Sequence, residues 1–452
     1  MSRRGQVSAL ALLVAGALAS PAFAQQPTPP EHYTLDQNGV DLVSGTFVYS
    51  TTDVVIGDPS DGGITHGRVW VNNGWRDTLA GSIAVSGNIY VVSVGAESEV
   101  FIRNSSGVFT PQSNSGATLS QSGTALTFTT RNGAVASYST VYNGSIQPYD
   151  ADGAVLFEYR TPAGEILTYQ WNGVTFCETY NPDGGCLFYR NGARLDSVSN
   201  NRGYMIDFLY ESDDLPDGQD RRWFRRTGAR GVNLTIDYCP GFGSDCAVTR
   251  TWPQVTYQLP PAFGDTILSV TDQSSRTTTY GYGTGLSVTL PDQTTPQVTT
   301  TTGAGGRTTR VVGPTGQWDY AYVDSATERT TTVDGPNGQE TIVVSDLATG
   351  RATSVTDGLG RETTYEYNAN RMLNLVTLPE GNAQRILYDV RGNVTRVEQK
   401  AKPGTALPDI VTTAVYPAQP CANPVTCNQP TSVTDARGTP PTSPMTRPTA
   451  GC

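Results

Sequence analysis

Residues 354–397, SVTDGLGRETTYEYNANRMLNLVTLPEGNAQRILYDVRGNVTRV, lie on themselves when shifted by 21 positions. Gly360 then falls on Gly381, Tyr367 on Tyr388, Asn368 on Asp389 and Val376 on Val397. A period of about 20–50 residues marks a repeat architecture. Each unit is too short to be a domain and must bury its apolar face against its neighbours. The unit itself reads as two strands and two turns. Tyr388 ends an extended run, and Asp389 opens a turn, because its carboxylate bonds backbone N–H groups two residues on. Gly392 supplies the positive φ such a turn requires, and Asn393–Val397 leaves as the next strand. Pro379-Glu380-Gly381-Asn382 is the second turn. No segment of the unit has helical spacing.

A second signature marks further copies. Ser-Val-Thr-Asp occurs at Ser269–Asp272, Ser354–Asp357 and Ser432–Asp435, and Ser-Val-Ser-Asn begins at Ser197. In three of the four, an aromatic follows the Ser by 11 and a Tyr by 13: Phe208 and Tyr210, Tyr280 and Tyr282, Tyr365 and Tyr367. Positions two apart share one face of a strand. The run Tyr388-Asp389-Val390-Arg391-Gly392-Asn393-Val394-Thr395-Arg396-Val397 resembles the YD repeat of the bacterial rearrangement-hotspot (RHS) family, shared with the teneurins. Arg194-Leu195-Asp196-Ser197-Val198, leading to Gly203 and Tyr210, is similar to the family's degenerate unit. Upstream, Asp41–Gly45 and Gly74-Trp75-Arg76 resemble the module that opens RHS cores. The resemblance implies an all-β fold: an antiparallel sheet that spirals into a partial shell, with a β-rich module before it. In full-length members the shell encloses a C-terminal toxin or presents an adhesive surface. The family's late self-cleavage segment and toxin have no counterpart in this sequence.

The expected organisation is a signal peptide over 1–24, a disordered leader over 25–36, a β-rich module over 37–189, the repeat array over 190–438 and a disordered tail over 439–452. Arg3 and Arg4, the apolar run Ala9–Ala19 and Ala22-Phe23-Ala24 carry the signal-peptide reading, with cleavage leaving Gln25 first. After residue 25 no run of 18 apolar residues occurs, so no transmembrane segment is expected. The stretch Thr289–Thr309 is poor in large apolar residues but reads as strands, since Gly316, Gly338 and Gly360 recur at 22-residue steps. In the last unit, the two aromatic positions hold Ser443 and Met445, so the array stops within a unit, as in a truncated or frame-shifted relative of a longer chain.

Seven cysteines suit an exported chain. Six form close pairs around Gly/Pro/Asn-rich loops. These six allow 15 connectivities, and the local one, Cys177–Cys186, Cys239–Cys246 and Cys421–Cys427, fits loop closure best. Cys452 is left over. None of the spacings is C-x₂-C and the only histidines are His32 and His66, so no metal site is expected. The net charge of −11 argues against a nucleic-acid partner. The one basic cluster, Arg221, Arg222, Arg225 and Arg226 around Trp223-Phe224, reads as a solvated hairpin face beside the acidic run Asp213–Asp220, itself a solvated loop rather than a Ca²⁺ site.

No catalytic set emerges, and no cofactor is implied. His32 lies in the leader, and His66 reads as a turn or strand-face residue. The candidate residues are those of the repeat: Ser269, Asp272, Tyr282, Ser354, Asp357, Gly360, Tyr367, Tyr388, Asp389 and Gly392. The repeated Tyr280, Tyr282, Tyr320, Tyr322, Tyr365, Tyr367 and Tyr388 read as core packing. The functional expectation is a secreted or cell-surface structural protein of a polymorphic-toxin-type system, with its toxin or immunity partner encoded elsewhere. An adhesin that takes glycans or cell-surface proteins is the alternative, and a glycan-active enzyme a more distant one.

Overall fold

The computed structural model of the chain describes residues 35–112, 115–140, 153–214, 222–239, 248–261, 266–421 and 426–435. The expected signal peptide, the acidic residues 217–220, Cys246 and the tail 439–452 lie outside the described residues. Among the described residues strand accounts for 56% and helix for 2%, so the fold is all-β. The strands from Gly81–Ser86 to Ser432–Thr434 pair antiparallel, mostly in chain order, in one large sheet. Among the described residues no ladder joins its last strand to its first, and the sheet is not closed into a barrel. A pairing out of chain order sets Ala154 opposite Ile83 and Val155 opposite Ser82. The Thr-rich stretch forms strands at Leu286–Thr289, Val298–Thr302 and Thr308–Gly313.

The chain divides into two compact units: Val48–Thr130 with Ala134–Thr301, and Met1–Phe47 with Arg131–Gly133 and Thr302–Cys452. The first opens with a separate three-stranded sheet, Tyr49–Ile56, Ile64–Val71 and Gly74–Asp77. Its interior is apolar: Ile83, Phe101, Leu126, Tyr138, Leu156 and Ile206 are fully buried or nearly so. Its longest hairpin, Ile166–Tyr180 with Cys186–Asn200, runs through residue 190 with a continuous ladder. In the second unit Leu373, Val376, Ile386 and Val394 form a buried cluster, against which Tyr365, Tyr367 and Tyr388 pack.

One turn recurs. Asp36, Asn104, Asn181, Asn200, Asp272, Asp357, Asn368 and Asp389 each open a five-residue turn in which the side-chain oxygen accepts the N–H of the third and fifth residues. The fourth residue donates its N–H to the first carbonyl. That residue has positive φ every time: 84° at Gly392, and 60° at Ser275 and Arg371. A residue other than glycine there costs about 1–2 kcal/mol, which explains the six glycines among the eight. Asp36, assigned to the leader by sequence, belongs to this ordered set.

The strands leaving the Asn368 and Asp389 turns carry β-bulges. Tyr367 pairs with Leu373 and Glu366 with Leu375, leaving Asn374 as the extra residue. A bulge disrupts the ladder locally, and a displaced carbonyl needs another donor. The Tyr388 hydroxyl supplies it, donating to the Leu373 carbonyl at 2.5 Å. The same arrangement recurs next to Asp196, where Tyr210 reaches Leu195 at 2.6 Å, and next to Thr353, where Tyr367 reaches Ala352 at 2.7 Å. It recurs again next to Thr395, where Tyr416 reaches Val394 at 3.0 Å. Next to Phe157, the indole N–H of Trp171 takes the tyrosine's part, at 2.7 Å from the Leu156 carbonyl. Burial pushes the Tyr367 hydroxyl up to about 12, so it stays a donor at neutral pH.

Replacing Tyr388 by Phe leaves the Leu373 carbonyl without this donor, and is expected to cost about 1–2 kcal/mol in urea unfolding. Tyr238→Phe, at a side chain 79% exposed, is the matched control and should leave the midpoint unchanged. Equal midpoints for both variants would show that the hydroxyl contributes nothing.

Candidate functional site

The repeat residues singled out by sequence serve as structural parts. Ser269 is buried and donates to the Gln258 side chain at 3.0 Å. Ser354 lies within the strand Arg351–Thr356, opposite Thr364. Asp272 and Asp357 hold their turns and pair with Arg276 and Arg361, while Gly360 and Gly392 occupy the left-handed position. Tyr282 accepts the indole N–H of Trp75 at 2.8 Å and donates to the Ile267 carbonyl. Cys177–Cys186 and Cys421–Cys427 are disulfides, and Cys239 is also disulfide-bonded.

The densest chemistry lies in the first unit, in a seam of buried charge. It begins with a bulge: Thr52 pairs with Gly67 and Val54 with His66, so Asp53 is the extra residue. Gly67 is required there, since a Cβ would stand 2.1 Å from the Thr51 carbonyl oxygen. Asp53 accepts from Arg68 at 2.6 and 3.2 Å and from the Tyr257 hydroxyl at 2.8 Å. The Arg68 guanidinium also donates to the Tyr280 hydroxyl at 3.2 Å and stacks 4.4 Å from the Trp75 ring. The Asp53 and Arg68 side chains are only 3% and 4% exposed.

The next residue on the same strand face, His66, lies within the strand Ile64–Val71 and is fully buried. Its Nε2 lies 3.1 Å from Asp77, and its ring meets Phe208 edge-on at 5.1 Å. Asp77 also accepts from Arg226, whose guanidinium covers the Phe208 ring at 3.8 Å. The solvated-face reading of the arginine cluster is therefore corrected for Arg225 and Arg226, while Arg222 is exposed and Arg221 lies outside the described residues. Arg225 is buried and paired with Glu211 at 2.6 Å, Arg226 turns inward to Asp77, and Trp223 is buried in a cluster with Val174 and Phe176. Guanidinium planes stack on aromatic faces while carboxylates satisfy their edges, so charge can go inside. Arg194 does the same, over the rings of Tyr210 and Trp223, with its edge on the Trp223 carbonyl.

Burial opposes ionisation of Asp53 and Asp77, but their cations outweigh it. Arg68 holds the Asp53 carboxyl below its ordinary 3.8, and His66 with Arg226 does the same for Asp77. Burial pushes the Tyr257 hydroxyl well up and that of Tyr280 up to about 12. The acids and bases thus neutralise each other, and both tyrosines are fixed as donors or acceptors within the seam. Among the described residues no group of three or more His, Cys, Asp or Glu is placed to hold a metal ion.

Removing one partner strands a buried charge. Asp53→Ala is expected to cost about 3–5 kcal/mol, and Asp53→Leu with Arg68→Met far less than the sum of the singles. Because both carboxyls are depressed in the folded state, their contribution is present above about 3.8 and is lost as pH falls below it. A thermal-unfolding series across pH 6 to about 2 checks this: the wild type should lose its midpoint steeply at the acid end, and the double variant less steeply.

The RHS Repeat family model matches residues 346–383. No curated protein matches the chain. Among solved structures, the crystal structure of TcdB2-TccC3-Cdc42 is 12% identical, with 78% of this chain and 20% of that chain covered and a TM-score of 0.39. The structure of the Photorhabdus luminescens Tc holotoxin pore is 14% identical, with 78% and 19% covered and a TM-score of 0.35. The chain spans about a fifth of the length of these neighbours.

Proposed function

Because this chain carries an RHS repeat at residues 346–383, we propose that it is an RHS-type structural protein that builds a wall of strands and does no chemistry of its own. The observation that carries the reading is the use of the repeat's polar residues. Asp357 and Asp389 hold turns, and Tyr367 and Tyr388 hold bulge carbonyls, so each is committed to the backbone. The buried carboxylates Asp53 and Asp77 are likewise matched to Arg68 and Arg226. The segment 37–189 acts as the opening module and 190–438 as the array, continued from one to the other by the ladder that crosses residue 190.

The wall works outside the cell. The positive start, apolar run and A-x-A site at 1–24 direct export, and the disulfides Cys177–Cys186 and Cys421–Cys427 suit an oxidising compartment. Its partner is a toxin or immunity protein encoded elsewhere. A glycan-binding surface is the second reading, favoured by exposed rings such as Tyr238, 79% open to solvent.

N-terminal sequencing of the exported chain should find Gln25 first; an uncleaved Met1 would overturn the export reading. On a glycan array the structural reading expects no signal above background. Binding abolished by Tyr238→Ala would move the assignment to an adhesin. Turnover of a polysaccharide that ends with one carboxylate substitution would overturn the absence of catalysis.

A further inference from the structure

The long hairpin Ile166–Tyr180 and Cys186–Asn200 outruns its neighbours. On one side the ladder with Ala154–Arg160 ends at Glu158 opposite Thr168; on the other the ladder with Tyr204–Tyr210 ends at Ser197 opposite Asp207. Beyond those points the two strands pair only with each other, out to Tyr180 opposite Cys186. The base of the projecting part is covered, since Val174 and Phe176 pack on Trp223 and Phe224. The tip is not: Leu187, Phe188 and Tyr189 are 54%, 65% and 72% exposed, and Tyr180 is exposed beside them. Successive residues of a strand point to opposite faces, so Phe188 lies on one face of the hairpin and Tyr189 on the other, while Leu187 is the extra residue of a bulge between Phe188 and Cys186. The Cys177–Cys186 disulfide and the Asn181–Gly185 turn fix the tip's shape.

A protein cleft that covered one face of this ribbon would leave the other in water. A bilayer interface surrounds both, and it is where amphipathic aromatic rings concentrate. The charged residues from 177 to 190 are Glu178, Asp183 and Arg190, and the whole chain carries −11. That combination disfavours anionic lipid. Exposed aromatic faces instead match a quaternary ammonium group. We propose that this hairpin tip is a membrane-surface anchor that wedges its rings among phosphatidylcholine headgroups.

The test is co-sedimentation of the full chain with phosphatidylcholine vesicles and, separately, with phosphatidylglycerol vesicles. The wild type should bind the first and bind the second much less. Phe188→Ser with Tyr189→Ser should weaken phosphatidylcholine binding about tenfold or more, since two half-exposed rings lose their burial. Val390→Ser, at a side chain 86% exposed elsewhere, should leave it unchanged. The substituted side chains are solvent-exposed, and equal unfolding midpoints would establish that the double variant keeps its fold. Failure of the wild type to bind phosphatidylcholine, or equal binding by the double variant, overturns the proposal. So does equal binding to both lipids. Concentration-dependent self-association that the double variant abolishes would give the tip to a second copy of the chain and overturn it as well.

Discussion

A carbonyl pushed out of a ladder by a bulge cannot stay buried without a donor, and the construction of the array follows from how that need is met. The donor comes from the next unit. Tyr388 reaches the carbonyl beside Asn374, and Tyr367 the one beside Thr353. Each bulge is thereby locked by a residue at the end of the next strand, so one hairpin is complete only when its successor is in place. This is nearest-neighbour coupling between units, by a hydrogen bond as well as by packing. The Asx-type turn sets the phase of the device. At Asn368 and Asp389 it places the bulge at the start of the departing strand, and the strand's length then delivers the tyrosine to the right depth. A unit with a wrong strand length would misplace the tyrosine and expose the bulge, so the period is under physical constraint.

Much of this was legible in the sequence. The period, the Asp or Asn that opens the turn, the glycine at its fourth position and the tyrosine before it are all local, and local chemistry decides them. The hydroxyl's partner was not. Tyr388 read as core packing, which is correct for its ring, while the need of Leu373 arises from a register shift that no composition reports. Trp171 and Tyr416 were missed for the same reason: they do the same job without the flanking signature, and Tyr416 does it across 22 residues rather than 15. The arginine cluster misread in the opposite direction. Four arginines within six positions look like a solvated face, because the carboxylate that takes Arg226 inside lies 149 residues away at Asp77.

The buried seam raises a different question, since hydrophobic residues of similar volume would stabilise at least as well as a paired Asp and Arg. What they would not do is specify. Asp53 exists at its position only because the strand bulges there, and its two partners come from Arg68 on the paired strand and from Tyr257. A one-residue slip would move Arg68 to the other face and leave Asp53 unpaired in the interior. The same seam fixes His66 against Phe208 and Asp77. Short strands poor in large apolar residues, such as Gly74–Asp77, have little else with which to hold a register.

The projecting hairpin departs from both devices. Past Trp171 and Leu195 it has, among the described residues, neither a flanking strand nor a tyrosine clamp, and a two-stranded ribbon of that kind is marginal in water. Its stability must come from within. The Trp223 and Phe224 rings brace its base, and the Cys177–Cys186 bond closes its end across 9 residues. Such a staple restricts the unfolded chain by roughly 2–3 kcal/mol, enough to hold straight a segment that the sheet itself does not support. A chain that needed only a wall would have ended this hairpin where the neighbouring ladders end. The extra length, the staple and the apolar tip occur together, and in physical terms each is useful only in the presence of the other two.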